Sequence, residues 1–231
     1  MNVRVADDIL SSMVASGLIS QPPAEPPARP SSGGAGQGPV RFTVAGTLRL
    51  LNLGILPEDS TIELLNGTLV YRDRFDIRGG EIVEGIDHNY VLGGLADLAA
   101  KINNDAHHLR TQSTLICSEI HAPIPDAVVL RGPRTSYRDH IPTAAEALCV
   151  IEVADSSYER DAGEKLVGYA RAGVGQYIII NPRNRTAEVY GNPDVAAGTY
   201  PPPQVVLESE PLSIRVAQSE IYSTPLRDLL P

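Results

Sequence analysis

The sequence predicts an α/β fold in which a mixed central β-sheet is flanked by helices. Two runs, 147–154 and 176–180, are apolar at nearly every position, as in strands that are buried on both faces of a sheet. Two amphipathic stretches, 88–103 and 161–172, alternate with the strand-like runs. With 231 residues, of which 42% are hydrophobic, the chain is long enough to build one such domain around a sizeable core.

The first 39 residues differ in composition from the rest. Residues 21–39 are rich in Pro, Gly and Ser, which predicts a disordered linker. The preceding helix, within residues 1–20, either docks on the core of its own chain or binds a partner protein, and the pattern leaves both alternatives open. One folded domain is expected to cover 40–231. The helix is predicted over 3–19 from apolar residues at helical spacing: Val5, Ile9, Leu10, Met13, Val14 and Leu18.

The domain is predicted to begin with a helix over 43–53, in which Thr43 is the N-cap. Asn66-Gly67 then separates two apolar runs within 61–70, which is a strong β-hairpin signal, and 81–86 are expected to extend this first sheet. The clearest long helix spans 88–103. Its apolar face is formed by Val91, Leu92, Leu95, Leu98, Ala99 and Ile102.

The second half of the chain predicts strands on either side of one further helix. This helix, over 161–172, ends at Gly173, a natural C-terminal position. The tail to Pro231 is expected to hold short strands and turns. The predicted strands are 111–119, 125–130 and 148–154 before the helix, and 176–180 and 185–190 after it.

Charge and cysteine content narrow the class of protein. The net charge of −9 and the pI of about 5.0 argue against a protein that coats nucleic acid non-specifically, but not against a nuclease with an acidic active site. The apolar runs fall short of the ~20 residues of a membrane helix, and no signal peptide pattern opens the chain. Cys117 and Cys149 lie in apolar, strand-like surroundings, which indicates buried thiols in a reducing cytoplasm. We therefore expect a cytoplasmic protein without membrane association.

A carboxylate in the middle of an apolar strand is the strongest functional signal. Glu152 has only apolar neighbours within 148–154, and a lone ionised carboxylate would be costly to bury there. It forms either an ion pair in the core or a metal ligand or catalytic group, and we favour the second. Asp126 follows Pro125 at the start of the 125–130 strand, where it either caps a turn or lies near Glu152. Two such carboxylates on adjacent strands would suit magnesium.

Basic residues follow both carboxylates along the chain. Lys165 either lies in solvent beside Glu164 or places its ammonium over the strand end toward the metal. Arg131, Arg134 and Arg138, with His140 close behind, either contact backbone phosphates beside the active site or form a solvated loop.

Other chemically suggestive residues are expected to be structural. His107-His108 adjoin and are predicted to lie at the surface. Ser156-Ser157 are expected to cap or precede the next helix, because no histidine is placed to activate them. Gly79-Gly80 and Gly93-Gly94 lack the context of a phosphate-binding loop.

Three segments in order resemble the Uma-two family of candidate restriction endonucleases, within the PD-(D/E)xK nuclease superfamily. They are PDAVVL (125–130), LCVIEVADSS (148–157) and RDAGEKLVGYARAGVGQYIIINP (160–182). The hairpin 58–70 and Asp87-His88 are also similar to family features, so that the resemblance covers roughly 40–231. It implies a restriction-endonuclease-like core.

The resemblance implies a catalytic set. The superfamily's two acidic positions fall on Asp126 and Glu152, whereas its usual lysine position, two residues after the glutamate, is Ala154 here. The Uma-two pattern instead carries its lysine on the next helix, which is Lys165 in this chain. Glu63 matches the family's early glutamate and is a candidate third metal ligand beside Asp126 and Glu152.

Two accessory residues and a function complete what the resemblance implies. His88 matches a family histidine by position only, and Tyr169 flanks the lysine on its helix. The implied activity is Mg²⁺-dependent, or Mn²⁺-dependent, hydrolysis of DNA phosphodiester bonds by a metal-activated water. Duplex DNA is the expected partner, and a homodimer is compatible with cutting both strands. The alternative is a catalytically inactive nuclease-fold protein that binds a partner through its N-terminal helix.

Overall fold

The computed structural model describes residues 19–20, 40–57, 62–71, 85–155, 157–217 and 221–231. The linker over 21–39, the helix predicted over 3–19 apart from its last residue, and most of 81–86 lie outside the described residues. Ile19, the last residue of that predicted helix, departs from the prediction. Ile19–Ser20 form strand β1, which pairs antiparallel with β2, Arg41–Phe42, so that Ile19 is in a strand and not at the end of a helix.

The first half of the domain confirms its predicted elements. Helix α1 spans Val44–Asn52, and the side chain of Thr43 accepts a hydrogen bond from the Gly46 N–H at 3.0 Å, as an N-cap should. In the turn of the hairpin, Asn66 and Gly67 have φ of 47° and 82°, the left-handed values that a tight two-residue turn needs. The strands of that hairpin are β3 (Ile62–Leu65) and β4 (Thr68–Tyr71), and helix α2 (Ile86–Ile102) follows.

A six-stranded sheet forms the centre of the molecule. Its strands are β5 (His107–Thr111), β6 (Ala127–Arg131), β7 (Ala147–Val153), β8 (Gln176–Asn181), β9 (Thr186–Gly191) and β10 (Gln204–Leu207). They lie in the order β10-β9-β8-β7-β6-β5. β7 and β8 pair in parallel and every other neighbouring pair is antiparallel, so the sheet is mixed, as predicted. β7 is buried at every residue, which explains its continuous apolar run.

A single irregular helix, α3, connects the parallel strands β7 and β8. It is α-helical over Tyr158–Arg160, π-helical over Asp161–Lys165 and α-helical again over Leu166–Arg171, so it begins three residues before the predicted start. Gly173 follows with φ of 75°, a left-handed conformation that ends a helix. The two terminal side chains of the π-helical turn, Asp161 and Lys165, both lie on the buried side of the helix.

Helices cover both faces of the sheet. α2 packs on one face together with the C-terminal hairpin of β11 (Pro211–Arg215) and β12 (Ile221–Pro225) and the 3₁₀ turn Leu226–Leu229. α3 packs on the other face, where Tyr169 and Tyr177 are fully buried. Within the described part of the chain, no helix combines the length and the apolar character needed to cross a membrane.

The prediction of a strand over 111–119 is wrong. The sheet uses His107–Thr111 instead, and the chain from 112 to 126 crosses the sheet end with only isolated bridges. The surface prediction for His107 and His108 is wrong for the same reason, because their side chains are only 2% and 1% exposed. Each imidazole is buried with a hydrogen-bonding neighbour: His107 Nε2 lies 3.2 Å from the Asn104 amide, and His108 Nδ1 lies 2.8 Å from the Gly132 carbonyl.

Both cysteines are free thiols, as predicted, but they differ in setting. Cys149 is fully buried in β7, whereas Cys117 is half-buried in the irregular stretch after β5 and not in a strand. Burial raises the pKa of both thiols, which keeps them protonated and unreactive.

One close approach fixes how α3 sits on the rest of the domain. A Cβ added to Gly168 would lie 2.0 Å from Nε2 of His121, whereas a Cβ added to Gly163, on the same helix, would meet nothing within 4 Å. We therefore expect Gly168→Ala to lower the free energy of unfolding by about 1–3 kcal/mol through overpacking, although alanine favours helices. Gly163→Ala is the matched control and should not destabilise. Urea unfolding of the two variants measures the difference, and equal stabilities would contradict the prediction.

Candidate active site

Strand register brings the two predicted carboxylates together. β6 and β7 are antiparallel with Ala127 opposite Ile151, so Asp126 and Glu152 come next to each other at the end of that pair. Asp126 Oδ2 accepts the Val153 N–H at 2.7 Å, and the Asp126 N–H donates to Glu152 Oε2 at 3.4 Å. The backbone therefore holds the two carboxylates side by side, and both are buried.

Lys165 reaches this pair from α3. Its side chain is 2% exposed. Its Nζ lies 2.8 Å from Glu63 Oε1, 3.1 Å from Glu152 Oε1 and 3.7 Å from Asp161 Oδ1. Three carboxylates from three different elements thus surround one ammonium group.

Glu63 lies on the lysine side of the cluster. It comes from β3, is fully buried, and its Oε1 also accepts the Ile124 N–H at 2.8 Å. Its position beside Lys165 differs from the expected place in a three-carboxylate metal shell with Asp126 and Glu152. Its other oxygen, Oε2, is buried without a hydrogen-bond partner among the described residues.

Asp161 is a member of the cluster that sequence reasoning missed. It is 1% exposed and accepts a hydrogen bond from the Ser157 hydroxyl, while Lys165 lies four residues further along α3. That spacing was the available signal, because residues four apart share one face of a helix. Ser157 itself precedes α3, as predicted, whereas Ser156 lies outside the described residues.

His88, in the first turn of α2, contacts the carboxylates from the opposite side. Its Nδ1 lies 3.1 Å from the carbonyl oxygen of Val153, and its Nε2 lies 3.3 Å from Asp126 Oδ1. Both ring nitrogens therefore face oxygen acceptors. The Asp126 carboxylate and the Val153 carbonyl thus present two oxygen atoms to the same small region.

Tyr169 completes the surroundings of Glu152. Its hydroxyl donates to Glu152 Oε1 at 2.8 Å, and its ring packs against Tyr177 with centroids 4.9 Å apart. Burial raises the pKa of the Tyr169 hydroxyl well above its usual value, and the Glu152 charge raises it further. The hydroxyl therefore remains a hydrogen-bond donor to the carboxylate.

The cluster holds more acidic than basic groups. Glu63, Asp126, Glu152 and Asp161 are all at most 3% exposed, and Lys165 is the buried lysine among them. Burial raises the pKa of Glu152 well above its usual value; Lys165 opposes this shift, and the neighbouring carboxylates add to it. Burial likewise raises the pKa of Asp161. A buried excess of carboxylates is relieved either by protonation or by a bound cation.

The candidate donors at this sheet end are oxygen atoms, the type of ligand that magnesium takes. In the described ranges, no three His, Cys, Asp or Glu side chains are arranged to hold a metal ion together. Magnesium usually takes only one or two carboxylates and keeps several waters. Asp126, Glu152 and the Val153 carbonyl offer such hard oxygen donors at one sheet end.

The predicted arginines are not beside this cluster. Arg131 ends β6, opposite His107, and is five residues beyond Asp126, which corresponds to about 17 Å along a strand. Arg134 and Arg138 lie further on in the following loop, and all three are exposed. The expectation that they lie next to the active site is therefore wrong, because Asp126 precedes β6 whereas the arginines follow it.

The raised pKa of Glu152 predicts a pH-dependent stability in EDTA. A folded-state pKa above the usual 4.5 means that the folded protein binds more protons than the unfolded chain, so this contribution to stability is lost as pH rises above that value. Glu152→Gln should therefore reduce the loss of stability as pH rises above 4.5. The exposed Glu159→Gln, on α3, should leave it unchanged. Urea unfolding at several pH values measures this, and parallel curves for wild type and Glu152→Gln would contradict it.

Comparison with known proteins bears on the fold and the family of the chain. The crystal structure of "a putative nuclease belonging to DUF820" from Anabaena variabilis ATCC 29413 matches with a TM-score of 0.56 and 15% identity, covering 81% of this chain and 97% of that chain. It shows a shared fold. No curated protein matches the chain. The profile of the Uma2 family, described as "Putative restriction endonuclease", matches residues 50–224. The chain therefore belongs to the Uma2 family and has a nuclease-like fold.

Proposed function

We propose that this protein is a metal-dependent endonuclease that hydrolyses DNA phosphodiester bonds with a metal-activated water. The observation that carries the proposal is the buried cluster in which Asp126 and Glu152 adjoin and Lys165 contacts Glu152 at 3.1 Å. An apolar strand has no structural need for such a charge. The nuclease-like fold and family supply the reaction class, and the cluster supplies the groups.

Asp126, Glu152 and the carbonyl of Val153 would hold Mg²⁺, or Mn²⁺ in its place. The ion, when bound, lowers the pKa of its water and offsets charge on the phosphate. The charge balance supports this assignment, since the carboxylates outnumber the buried lysine. His88, which already bridges Asp126 and Val153, is placed to contact the same oxygens or the attacking water.

Lys165 acts as a fixed positive charge. Burial, the largest effect, lowers the pKa of its ammonium, but the charges of Glu152, Glu63 and Asp161 outweigh burial and raise it overall. The lysine therefore stays protonated, and a permanent ammonium can orient a water or stabilise developing negative charge but cannot serve as the base. Glu63 and Asp161 are positioning residues for this ammonium, and Tyr169 positions Glu152.

Replacing Asp126 tests the assignment. Asp126→Asn keeps an oxygen that can accept the Val153 N–H but removes the charge, so cleavage of plasmid DNA with Mg²⁺ should fall about 10²-fold or more. EDTA should abolish wild-type cleavage. The matched control is Asp97→Asn, an exposed acid on α2, which should retain activity.

Two outcomes would overturn the nuclease proposal: cleavage that persists in EDTA, or Asp126→Asn activity equal to that of wild type. An RNA of the same sequence, assayed in parallel, shows whether the substrate is DNA or RNA. Cleavage of RNA alone would overturn the DNA assignment.

Replacing Lys165 separates its charge from its volume. Lys165→Met has nearly the same length but no charge, so we expect a cleavage loss of about 10²-fold or more. It also leaves three buried carboxylates without their cation, which should lower the free energy of unfolding by about 3–5 kcal/mol in EDTA. Combining Lys165→Met with Glu63→Gln should recover part of the stability but none of the activity. Activity assays and urea unfolding of both variants measure this, and recovery of both properties together would contradict a catalytic role.

A further inference from the structure

Four arginines lie along one edge of the central sheet, on β5 and on the chain that leaves β6. We call Arg110, Arg131, Arg134 and Arg138 the basic edge. Arg110 is half-buried and the other three are exposed. In the part of the chain that the structure describes, none of the four has a carboxylate within ion-pair distance. Four guanidinium groups without a carboxylate partner among the described residues, in a protein with a net charge of −9, indicate a surface that can bind an anion.

The basic edge begins on the same sheet face as the catalytic cluster. Side chains two residues apart on a strand share a face, so Asp126, Val128 and Leu130 point to one side. Arg110 pairs with Val128 and His108 pairs with Leu130, and therefore both lie on that side. Arg110 is thus between the cluster and the end of β6, where the other three arginines follow.

Buried contacts fix the far end of this surface. His108 Nδ1 lies 2.8 Å from the Gly132 carbonyl, and its ring packs against Tyr137 with centroids 5.2 Å apart. The Tyr137 hydroxyl donates to the carbonyl of Arg131 at 2.7 Å. The loop that carries the arginines is therefore anchored, and its backbone is not free to place them elsewhere.

Polar groups at this surface have unused hydrogen-bonding capacity. Nη1 of Arg110 is buried and has no hydrogen-bond partner among the described residues, and the same holds for Nε2 of His108. Burial lowers the pKa of His108, and the charges of Arg110 and Arg134 lower it further, which indicates that both guanidinium groups are near the ring. Because Nδ1 of His108 donates to a carbonyl, Nε2 of the neutral ring is an acceptor, and the unused donor at this surface is the guanidinium of Arg110.

The carboxylates that follow the loop do not neutralise it. Glu146 is 3.0 Å from His140 and accepts from the backbone and hydroxyl of Thr143. Asp139 forms no ion pair within the described ranges.

We propose that the basic edge binds the phosphate backbone of a nucleic acid strand that extends from the catalytic cluster along the outer edge of β5. This inference rests on the proposed function. The distance from Asp126 to Arg131 is about 17 Å along the strand, and phosphates of one DNA strand are spaced by about 3.4 Å. The substrate must therefore extend about five nucleotides to one side of the cleaved bond. Guanidinium groups pair with phosphates in a two-pronged geometry and carry no sequence information there.

Salt dependence of binding tests the surface without any cleavage. The full-length chain in EDTA is titrated into a fluorescent DNA duplex of roughly 20 base pairs at several salt concentrations. Each phosphate contact contributes about 0.9 to the slope of log affinity against log salt, so Arg131→Gln/Arg134→Gln should lower the slope by about two. The control, Arg49→Gln/Arg227→Gln, removes the same charge from exposed positions elsewhere. An equal change in both variants, or no change in the first, would overturn the inference.

Substrate length gives an independent test with Mg²⁺. Wild type should cleave a duplex with five or more nucleotides on each side of the cut at least ~10-fold faster than one with two, because only the longer duplex reaches the basic edge. Arg131→Gln/Arg134→Gln should cleave both at similar, low rates. If the variant also cleaved the longer duplex faster than the shorter one, by the same ratio as wild type, the inference would be overturned and the nuclease proposal would stand. Salt-dependent binding of the expected slope without cleavage would support the basic edge and overturn the proposed function.

Discussion

The ammonium of Lys165 is the contact on which the arrangement of the site depends. It joins the β3–β4 hairpin through Glu63, the central sheet through Glu152 and α3 through Asp161. Among the described strands, no β-ladder joins this hairpin to the central sheet, and the buried ion pairs help to hold the hairpin, the sheet and α3 together. Such pairs contribute little net stability after desolvation, but the loss of one partner leaves a buried charge uncompensated and is strongly destabilising. The geometry of the cluster therefore depends on the ammonium being present.

Much of this architecture could be predicted from the sequence, because the decisive strands lie in the sheet centre. β7 and β8 are continuous apolar runs, and the one charge in β7, Glu152, had to be functional or paired. β5 was missed because it is an edge strand of sequence HHLRT, without an apolar run. The more apolar stretch that follows it is irregular, since its backbone bonds to the hairpin and to the loop before β7. The local sequence pattern does not distinguish a polar edge strand from an apolar stretch that is irregular.

The candidate site likewise contains residues that the sequence could place and residues that it could not. Asp126, Glu152 and Lys165 could be placed from their apolar neighbours and from the family pattern. Asp161 was missed because an acid near a helix start is normally solvated, and its spacing of four residues from Lys165 was the one signal in the sequence that linked it to the cluster. The arginines were assigned correctly to the surface, but sequence proximity to Asp126 was mistaken for spatial proximity. A strand separates its two ends by several ångströms per residue pair, so neighbours in sequence can lie on opposite sides of a domain.

The π-helical turn has a consequence for how this chain can vary. A π-helical turn holds about one residue more than an α-helical turn, because its backbone hydrogen bonds join residues five apart. Deleting one residue from Asp161–Lys165 would restore regular α-helical geometry and would leave the carboxylate and the ammonium three residues apart instead of four. The two groups could then no longer both keep their present positions beside Glu63 and Glu152. This stretch should consequently accept exchanges of side chains at its exposed positions far more readily than any change in its length.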